Sequence, residues 1–335
     1  MSKLSKSGGK KILLFPGQGS QYAGMGSEFT QKFYSCKDIY QCGSDILGLD
    51  LGNLLSNGNE AMLSNTMFSQ PAIFTASLIS LQAMRESGLL EENEFHASMG
   101  HSLGEIAALV CCGVLDMENG FKLIKARSRI MGASGSKTTG GMSAVIGAEL
   151  QDIERICEQV SGGGDYVTVA NYNCPGQFVI SGTMNGLLKA EELLAQPPKS
   201  KGFKLLQKKV RPPRIIRLKV TAAFHSDLMK EAAEEFLQEA SAITFAEPKA
   251  DFYSNVTAKK MTDFSEMPAY LSKHICSPVK FGAQLQVVKE DGYDTFIEVG
   301  PGKVLSGLVG KTLNEVFSLN IEDMESLEKA KEALK

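Results

Sequence analysis

The sequence predicts a mixed α/β fold, in which a small domain is inserted into a large domain built around a parallel sheet. Along most of the 335-residue chain, short apolar runs that end at glycine-rich turns alternate with helical patterns, as strands and helices do in parallel α/β sheets. Residues 141–220 break this alternation and follow the order strand, helix, strand, strand, helix, strand. The content of 43% hydrophobic and 22% charged residues is typical of a globular protein and excludes collagen-like and disordered chains.

Each predicted element of the large domain is an apolar stretch bounded by glycine or proline. In chain order these elements are a strand over 11–15, a helix over 70–86 with Pro71 at its start, a strand over 95–99, a helix from Glu105 and a strand over 295–299. We assign residues 11–138 and 221–318 to this domain. Residues 319–335 are expected to form a C-terminal helix or tail, exposed and amphipathic from Ile321.

The small domain, residues 139–220, has the β-α-β-β-α-β order of a split βαβ, or ferredoxin-like, unit. Its predicted elements are strands over 142–146, 166–171, 177–182 and 215–220, and helices over 150–160 and 186–195. In the first of these helices Ile153, Ile156 and Val160 fall on one face, as expected for a helix that packs on a sheet.

Charge and cysteine content exclude several classes of protein. The net charge of -3 and the pI near 5.9 argue against a general nucleic-acid binder, which usually carries a basic excess. The seven cysteines form no CxxC pair and are expected to be buried thiols in a reducing compartment. The longest apolar stretch, residues 106–115, is too short to span a bilayer, and the N-terminus lacks the apolar segment of a secretory signal. We therefore expect a cytoplasmic protein, or one of an organelle matrix (mitochondrion or plastid) if a presequence has been removed.

One serine lies where a strand-turn-helix segment would expose it as a nucleophile. Gly100-x-Ser102-x-Gly104 connects a predicted strand to a predicted helix, and the tight turn of a nucleophile elbow needs small residues beside the serine. The helix beginning at Leu103 directs free backbone N–H groups toward the same point, where they favour a developing negative charge. The alternative is a chance match, which 33 glycines make easy, but the strand-turn-helix context favours catalysis.

A serine nucleophile needs a base, and four histidines are available. His101 is adjacent to the serine, so the elbow should direct it away, and His96 is expected at the surface. His225 follows the last small-domain strand, where the chain returns to the large domain. A histidine in such a place is by itself more often structural than catalytic, but beside a serine that needs a partner it is the best candidate base.

Two other segments have more than one interpretation. Gly17-Gln18-Gly19 resembles the start of a dinucleotide fingerprint, but Tyr22 stands in place of the third glycine. A glycine loop at a strand end can equally offer a backbone N–H to an oxyanion.

Residues 199–219 carry nine basic side chains and no acidic one, which form either a solvated loop or a docking patch for an acidic partner. No metal-ligand cluster and no Walker phosphate loop occurs in the sequence.

Four motifs together point to one family. They are FPGQGSQ from Phe15, GHSLGE from Gly100, AFHS from Ala223 and EVGPGK from Glu298. In this order and spacing they resemble the acyltransferase family that contains malonyl-CoA:acyl carrier protein transacylases and the acyltransferase domains of fatty acid and polyketide synthases. The resemblance covers about residues 11–330 and implies an α/β-hydrolase-like large domain with a ferredoxin-like insert, in agreement with the pattern of elements.

The resemblance also implies roles for single residues. Ser102 would be the nucleophile and His225 its base. The backbone N–H groups of Gln18 and Leu103 would form the oxyanion hole. Arg127 matches the family's arginine that binds the substrate carboxylate.

Further matches concern the pocket around these groups. Asn173 matches a pocket asparagine, and Phe224 with Leu103 follows the malonyl-type rather than the methylmalonyl-type pattern. His274 stands where many bacterial members have a glutamine that orients the catalytic histidine, and a backbone carbonyl could act there with either side chain.

The implied reaction transfers the malonyl group of malonyl-CoA to the phosphopantetheine thiol of acyl carrier protein through a malonyl-serine, for fatty acid synthesis and without a bound cofactor. The carrier would dock at Lys208, Lys209 and Arg211; neither nucleic acid nor a membrane is expected as a partner, and the protein is expected to be a monomer. The alternatives are a serine thioesterase or esterase, a polyketide-synthesis acyltransferase acting in trans, and a non-catalytic carrier-docking module. Arg127 separates the transferase from a simple hydrolase, which needs no arginine at its acyl pocket.

Overall fold

The computed structural model describes residues 9–89, 94–137, 139–196 and 212–334. In these residues the strands form two sheets, one of five strands and one of four. In chain order the strands are β1 (Lys10–Phe15), β2 (Ala97–Gly100), β3 (Gly140–Ile146), β4 (Val167–Cys174), β5 (Gln177–Thr183), β6 (Arg214–Arg217), β7 (Asp251–Phe252), β8 (Tyr293–Val299) and β9 (Phe317–Ile321).

The five-stranded sheet is parallel, with the order β7-β2-β1-β8-β9. Its central strand, β1, buries Ile12–Phe15 completely, because helices cover both faces of a parallel sheet. Since the strands run in one direction, the turns that follow β1, β2 and β7 meet at the same edge. The predicted mixed α/β fold with a parallel sheet is therefore confirmed.

Helices connect the strands and enclose the main core. In chain order they are α1 (Ser27–Lys32), α2 (Cys36–Leu47), α3 (Leu51–Asn57), α4 (Glu60–Ser64), α5 (Thr66–Glu86), α6 (Gly104–Cys111), α7 (Met117–Lys137), α8 (Leu150–Gly162), α9 (Met184–Ala195), α10 (Lys230–Ala240), α11 (Met267–Cys276), α12 (Phe281–Glu290), α13 (Val304–Thr312) and α14 (Met324–Leu334). The long helix α5 is largely enclosed, with 16 of its 21 residues buried. Among the helices that the structure describes, none has both the length and the hydropathy needed to cross a bilayer.

The four-stranded sheet is antiparallel, with the order β4-β5-β3-β6, and α8 and α9 pack against it around a separate apolar core. Main-chain hydrogen bonds join β4 to the segment between α11 and α12. The Tyr172 N–H donates to the Val279 carbonyl (2.9 Å), and the Val279 N–H donates to the Ala170 carbonyl (2.8 Å). The small sheet is thus bonded to a loop of the large unit.

Most predicted elements are present with boundaries shifted by a few residues, and two of these shifts have a clear physical reason. Helix α5 begins at Thr66, because the Asn65 side chain accepts the Met67 N–H (3.0 Å) and caps the helix there. Pro71 therefore lies inside the helix rather than at its start. Strand β6 ends at Arg217 instead of residue 220, because the chain after it turns to pack against the main core.

The predicted amphipathic C-terminal helix is present as α14, but the segment from residue 318 does not form a separate exposed tail. Residue 318 falls inside β9, which pairs with β8 as the edge strand of the parallel sheet. The amphipathic α14 buries Leu327 and Ala330 in the main core, because its apolar stripe packs beside β9. The C-terminal residues are therefore part of the large unit.

Candidate active site

The sharp turn after β2 holds Ser102 in the left-handed region, with a φ of 53°. The turn can be this tight because glycines flank the serine. A Cβ at position 100 would collide with the main chain of Gly104, and a Cβ at position 104 would collide with the carbonyl of Phe15. Strain of this kind in a non-glycine residue persists where the surroundings hold it, and it is frequent at functional sites.

Ser102 and His225 are brought together although 123 residues separate them: the serine Oγ lies 2.7 Å from His225 Nε2. His225 Nδ1 donates to the carbonyls of Ser277 (3.0 Å) and His274 (3.2 Å). Because carbonyl oxygens only accept, the proton is on Nδ1, and Nε2 is free to accept the serine proton. The ring is therefore held in the tautomer that a general base requires.

Burial keeps this base neutral. His225 is 3% exposed, and its burial, together with the positive charge of Arg127, lowers its pKa to about 3. An imidazolium is disfavoured both by desolvation and by a nearby cation. The resting ring is thus uncharged at neutral pH.

At His274, the expected orienting residue, the contact with His225 comes from the backbone carbonyl, a possibility that the resemblance already allows. Its backbone carbonyl receives the His225 Nδ1–H, whereas its ring Nε2 lies 3.3 Å from Asn255 Oδ1 and 3.4 Å from the Glu105 carboxylate. Since its side chain is directed away from His225 Nδ1, the main chain at the end of α11 orients the His225 ring. A glutamine or a histidine at position 274 can leave this carbonyl in the same place.

Arg127, on α7, places a buried cation beside Ser102. Its Nη2 donates to Ser102 Oγ (3.0 Å) and its Nη1 donates to Gln70 Oε1 (2.7 Å). These are the guanidinium's hydrogen bonds within the described residues, so three of its five N–H groups remain for a ligand. Arg127 is 2% exposed, and desolvation lowers its pKa to about 10, so it stays charged at neutral pH.

The two predicted oxyanion donors lie on neighbouring loops at the sheet edge. The loop after β1 packs so closely on the elbow that a Cβ at Gly17 would collide with the His101 carbonyl. Over the part of the chain that the structure describes, neither the Gln18 N–H nor the Leu103 N–H donates to a protein acceptor. The Gln18 side chain is itself fixed by donating to Thr66 Oγ1 (3.2 Å).

A cavity of about 470 Å³ opens over Ser102 and His225. Phe224 and Asn173 line it, and Asn173 Oδ1 lies 2.8 Å from His101 Nε2. The elbow thus directs His101 toward Asn173 rather than toward Ser102. Arg217 and Lys219 line the same cavity, and each is paired with a carboxylate, Glu191 and Glu60 respectively.

Several buried polar side chains of the site were not found from the sequence. Glu105, Asn255 and Tyr270 form a hydrogen-bonded group behind the elbow, and burial raises the pKa of Glu105 to about 8. Gln70 positions Arg127 from inside α5. A glutamate within the apolar run of α6 was the one visible signal, because a buried carboxyl group needs polar partners.

The fourth sequence motif has a structural explanation. The carboxylate of Glu298, which is fully buried, accepts the N–H groups of Leu305 (3.0 Å) and Ser306 (2.7 Å) at the start of α13. It thereby caps the helix whose residues Val304 and Leu308 line the cavity. Burial raises the pKa of Glu298 to about 7.

Two further expectations from the sequence concern the carrier-docking residues and metal ligands. The proposed docking residues Lys208, Lys209 and Arg211 lie outside the described residues. Between residues 9 and 334, apart from the gaps at 90–93, 138 and 197–211, no three His, Cys, Asp or Glu side chains are grouped as metal ligands.

Comparisons with known proteins identify the family of the chain. The family model described as "Acyl transferase domain" matches residues 12–333. A malonyl CoA-acyl carrier protein transacylase of Bacillus subtilis (strain 168) is 35% identical over 326 residues, 97% of this chain and 98% of that protein. The crystal structure of malonyl CoA-acyl carrier protein transacylase from Clostridium perfringens has a TM-score of 0.86 at 37% identity, covering 97% of each chain. A malonyl-transacylase solved in complex with its type II PKS acyl-carrier protein has a TM-score of 0.86 at 31% identity, covering 96% of this chain and 99% of that one. The chain belongs to the acyl transferase domain family.

Proposed function

We propose that this chain is a malonyl-CoA:acyl carrier protein S-malonyltransferase that works through a malonyl-serine at Ser102. The observation that carries the proposal is the buried guanidinium of Arg127, 3.0 Å from the serine Oγ that also contacts the base. A serine-histidine pair alone suits any acyl transfer, but a buried cation beside it suits an acyl group that ends in a carboxylate. The malonyl-transacylase names of the relatives support the same substrate.

In the first half-reaction Ser102 Oγ attacks the thioester carbonyl of malonyl-CoA while His225 Nε2 takes the serine proton. The new Oγ–C bond gives a tetrahedral oxyanion, which the N–H groups of Gln18 and Leu103 stabilise. The loss of one such donor typically costs roughly 100- to 1000-fold in rate. The C–S bond then breaks, the imidazolium protonates the thiolate, and CoA leaves.

The second half-reaction repeats these steps with the carrier's phosphopantetheine thiol. Its proton goes to His225 Nε2, its sulfur attacks the malonyl-serine, and the Oγ–C bond breaks as the proton returns to Ser102. The reaction replaces one thioester, that of malonyl-CoA, by another, that of the carrier, and releases the CoA thiol. It therefore requires no cofactor. Because one product leaves before the second substrate reacts, the kinetics are ping-pong.

Arg127 selects the acyl group. Two parallel N–H groups of its guanidinium bind both oxygens of the malonyl carboxylate, a geometry that lysine does not reproduce. An acetyl group leaves this buried cation without its partner and is therefore disfavoured. The ring of Phe224 lines the cavity, and we expect it to exclude an α-methyl group.

We assign the carrier to fatty acid synthesis. The complex of a related malonyl-transacylase with a type II PKS acyl-carrier protein favours a polyketide carrier as the second candidate. Both carriers present the same thiol, so the reaction at Ser102 is unchanged.

We also propose the finer fold assignment. The antiparallel order β4-β5-β3-β6 with two helices supports a ferredoxin-like insert over residues 139–220. The strand-Ser102-helix elbow and the parallel sheet support an α/β-hydrolase-like large domain, here extending through α14.

Intact-protein mass spectrometry after brief mixing with malonyl-CoA tests the function. We expect a malonyl adduct on the wild type, none on Ser102→Ala, and little or none with acetyl-CoA. Addition of an acyl carrier protein with its phosphopantetheine should remove the adduct and yield malonyl-carrier. Release of CoA and malonate without an adduct would indicate a thioesterase, and equal acetyl and malonyl adducts would contradict the role of Arg127.

A further inference from the structure

Behind the elbow lies Asn255, a fully buried side chain that the proposed reaction does not use. It follows β7 and is not among the residues that line the cavity. Its Oδ1 accepts the backbone N–H of Ser102 (2.8 Å), and its Nδ2 donates to the Gly100 carbonyl (2.7 Å). One amide side chain therefore bridges the two ends of the turn that presents the nucleophile.

The orientation of this amide follows from its partners. Ser102 N–H can only donate and the Gly100 carbonyl can only accept, so a flipped amide would lose both bonds. Nδ2 also donates to Gln284 Oε1 (2.9 Å), whose Nε2 in turn donates to the Tyr253 carbonyl (3.0 Å). The backbone N–H of Asn255 donates to the Glu105 carboxylate on α6.

The same oxygen reaches the support of the base. Asn255 Oδ1 lies 3.3 Å from His274 Nε2, and the His274 carbonyl receives the proton of His225 Nδ1. A single side chain thus contacts both the backbone of the nucleophile and the residue whose carbonyl orients its base.

We propose that Asn255 is a positioning residue for Ser102. Its Oδ1 holds the Ser102 N–H away from the cavity, so that the next N–H along the chain, that of Leu103, is presented to the acyl oxygen. Its Nδ2 holds the Gly100 carbonyl at the end of β2, and together the two bonds maintain the left-handed conformation of the serine. This inference rests on the proposed function of Ser102 as nucleophile.

The test compares Asn255→Ala with Asn255→Asp and with a matched control, Ser98→Ala. Ser98 is also fully buried, lies on β2 and donates to the Ala108 carbonyl (2.9 Å), but it does not touch the elbow. The readouts are kcat and KM for malonyl loading and the rate at which phenylmethylsulfonyl fluoride modifies Ser102. This reagent reacts with a positioned serine and needs no malonyl group, so it is independent of the proposed substrate.

In Asn255→Ala we expect both kcat and the rate of sulfonylation to fall at least about tenfold, because a misplacement of about 1 Å can cost roughly 100-fold in rate. KM for malonyl-CoA should change less than about twofold, since the side chain does not line the cavity. Ser98→Ala should lose thermal stability but keep its sulfonylation rate within about twofold.

Asn255→Asp supplies a pH signature that a purely structural role would not. The protonated carboxyl group has the shape of the amide, accepts the Ser102 N–H and can donate one bond; the ionised group cannot donate to the Gly100 carbonyl. Sulfonylation relative to the wild type should therefore be high at pH 5 and fall as pH rises to 8. Glu105 on α6 and His274 and Tyr270 on α11 surround the position in both proteins, so the difference between the profiles reports the new carboxyl group.

Equal sulfonylation rates in the wild type and Asn255→Ala, or an Asn255→Asp profile parallel to that of the wild type, would overturn the inference. If Asn255→Ala does not fold, the pH profile of Asn255→Asp decides. Wild-type protein that is sulfonylated at Ser102 but never malonylated would refute the proposed function alone. Failure of the reagent to modify wild-type Ser102 would refute both.

Discussion

Replacement of Arg127 by alanine should convert a malonyl-selective site into one that no longer distinguishes malonyl from acetyl. The structure gives the cation two protein hydrogen bonds, to Gln70 and Ser102, and leaves three N–H groups for the substrate. The substitution removes the carboxylate's partner without touching the contact between Ser102 Oγ and His225 Nε2. Malonyl loading should therefore fail while the acyl-transfer machinery remains.

The size of the effect follows from the number of bonds lost. Two charge-assisted hydrogen bonds at about 1.5–3 kcal/mol each amount to about 3–6 kcal/mol. At about 1.4 kcal/mol per tenfold, kcat/KM for malonyl-CoA should fall roughly 10²- to 10⁴-fold. Acetyl loading should stay unchanged or rise, because the substitution also releases Ser102 Oγ from its contact with Arg127 Nη2 (3.0 Å).

The assay measures kcat/KM for adduct formation with malonyl-CoA and acetyl-CoA in parallel. Arg127→Lys retains the charge but not the paired donors and should lie between the wild type and Arg127→Ala. Arg129→Ala is the matched control, because Arg129 lies on the same helix but is half exposed and pairs with Glu235 and Glu239 at the surface. Its selectivity should equal that of the wild type.

Two results would refute the reasoning. Parallel losses of malonyl and acetyl loading in Arg127→Ala would mean that the residue supports the fold of the site rather than the choice of acyl group. Retention of malonyl selectivity would mean that another group binds the carboxylate.

Three further predictions concern the base, the pocket and the elbow. Burial lowers the pKa of His225 to about 3, so only the unfolded chain gains a proton at this histidine as the pH falls from about 6.5. The free energy of unfolding measured with urea should therefore decrease by up to about 1.4 kcal/mol per pH unit as the pH falls in this range. The slope should be shallower in His225→Gln, and equal slopes in the two proteins would contradict the prediction. Phe224→Ala should raise kcat/KM for methylmalonyl-CoA relative to malonyl-CoA roughly tenfold or more, because one carbon in an apolar pocket changes the discrimination between substrates by roughly 10- to 200-fold. An unchanged ratio of the two kcat/KM values would show that the ring does not exclude the methyl group. Gly104→Ala should lower the free energy of unfolding by about 1–3 kcal/mol, because its Cβ would collide with a main-chain carbonyl. Gly307→Ala in α13, where no atom lies near the added Cβ, should raise the free energy of unfolding by about 0.5–1 kcal/mol. Thermal unfolding of both variants measures this difference.

The elements that the sequence predicts correctly are those with strong local signals. Strand β1 is an apolar run that stops at Pro16-Gly17, and the elbow around Ser102 needs glycines that are visible in the sequence. Strand β9 was missed because edge strands are half exposed and carry a weak pattern: four of its five residues, Phe317–Asn320, are only partly buried.

Contacts between distant segments could not be derived in the same way. Ser102 and His225 were paired by eliminating other histidines, and their catalytic roles remain predictions. Asn255 and Gln70 reach the site only through tertiary packing, because they lie 153 and 57 residues from Ser102 and Arg127 along the chain. No local sequence pattern around either residue predicts its place in the site. For position 274 the resemblance offers contact through the carbonyl only as one possibility, since every residue has a carbonyl.

The bonds between β4 and Val279 limit how this protein can be re-engineered. Val279, which is bonded to β4, lies only two residues after Ser277, whose carbonyl accepts the His225 Nδ1–H. A chimaera that exchanges residues 139–220 for the insert of a relative therefore also alters the anchor of the base. Grafts intended to change acyl-group preference should carry the 274–279 segment along with the insert, and activity lost in a simple exchange should return when that segment is matched.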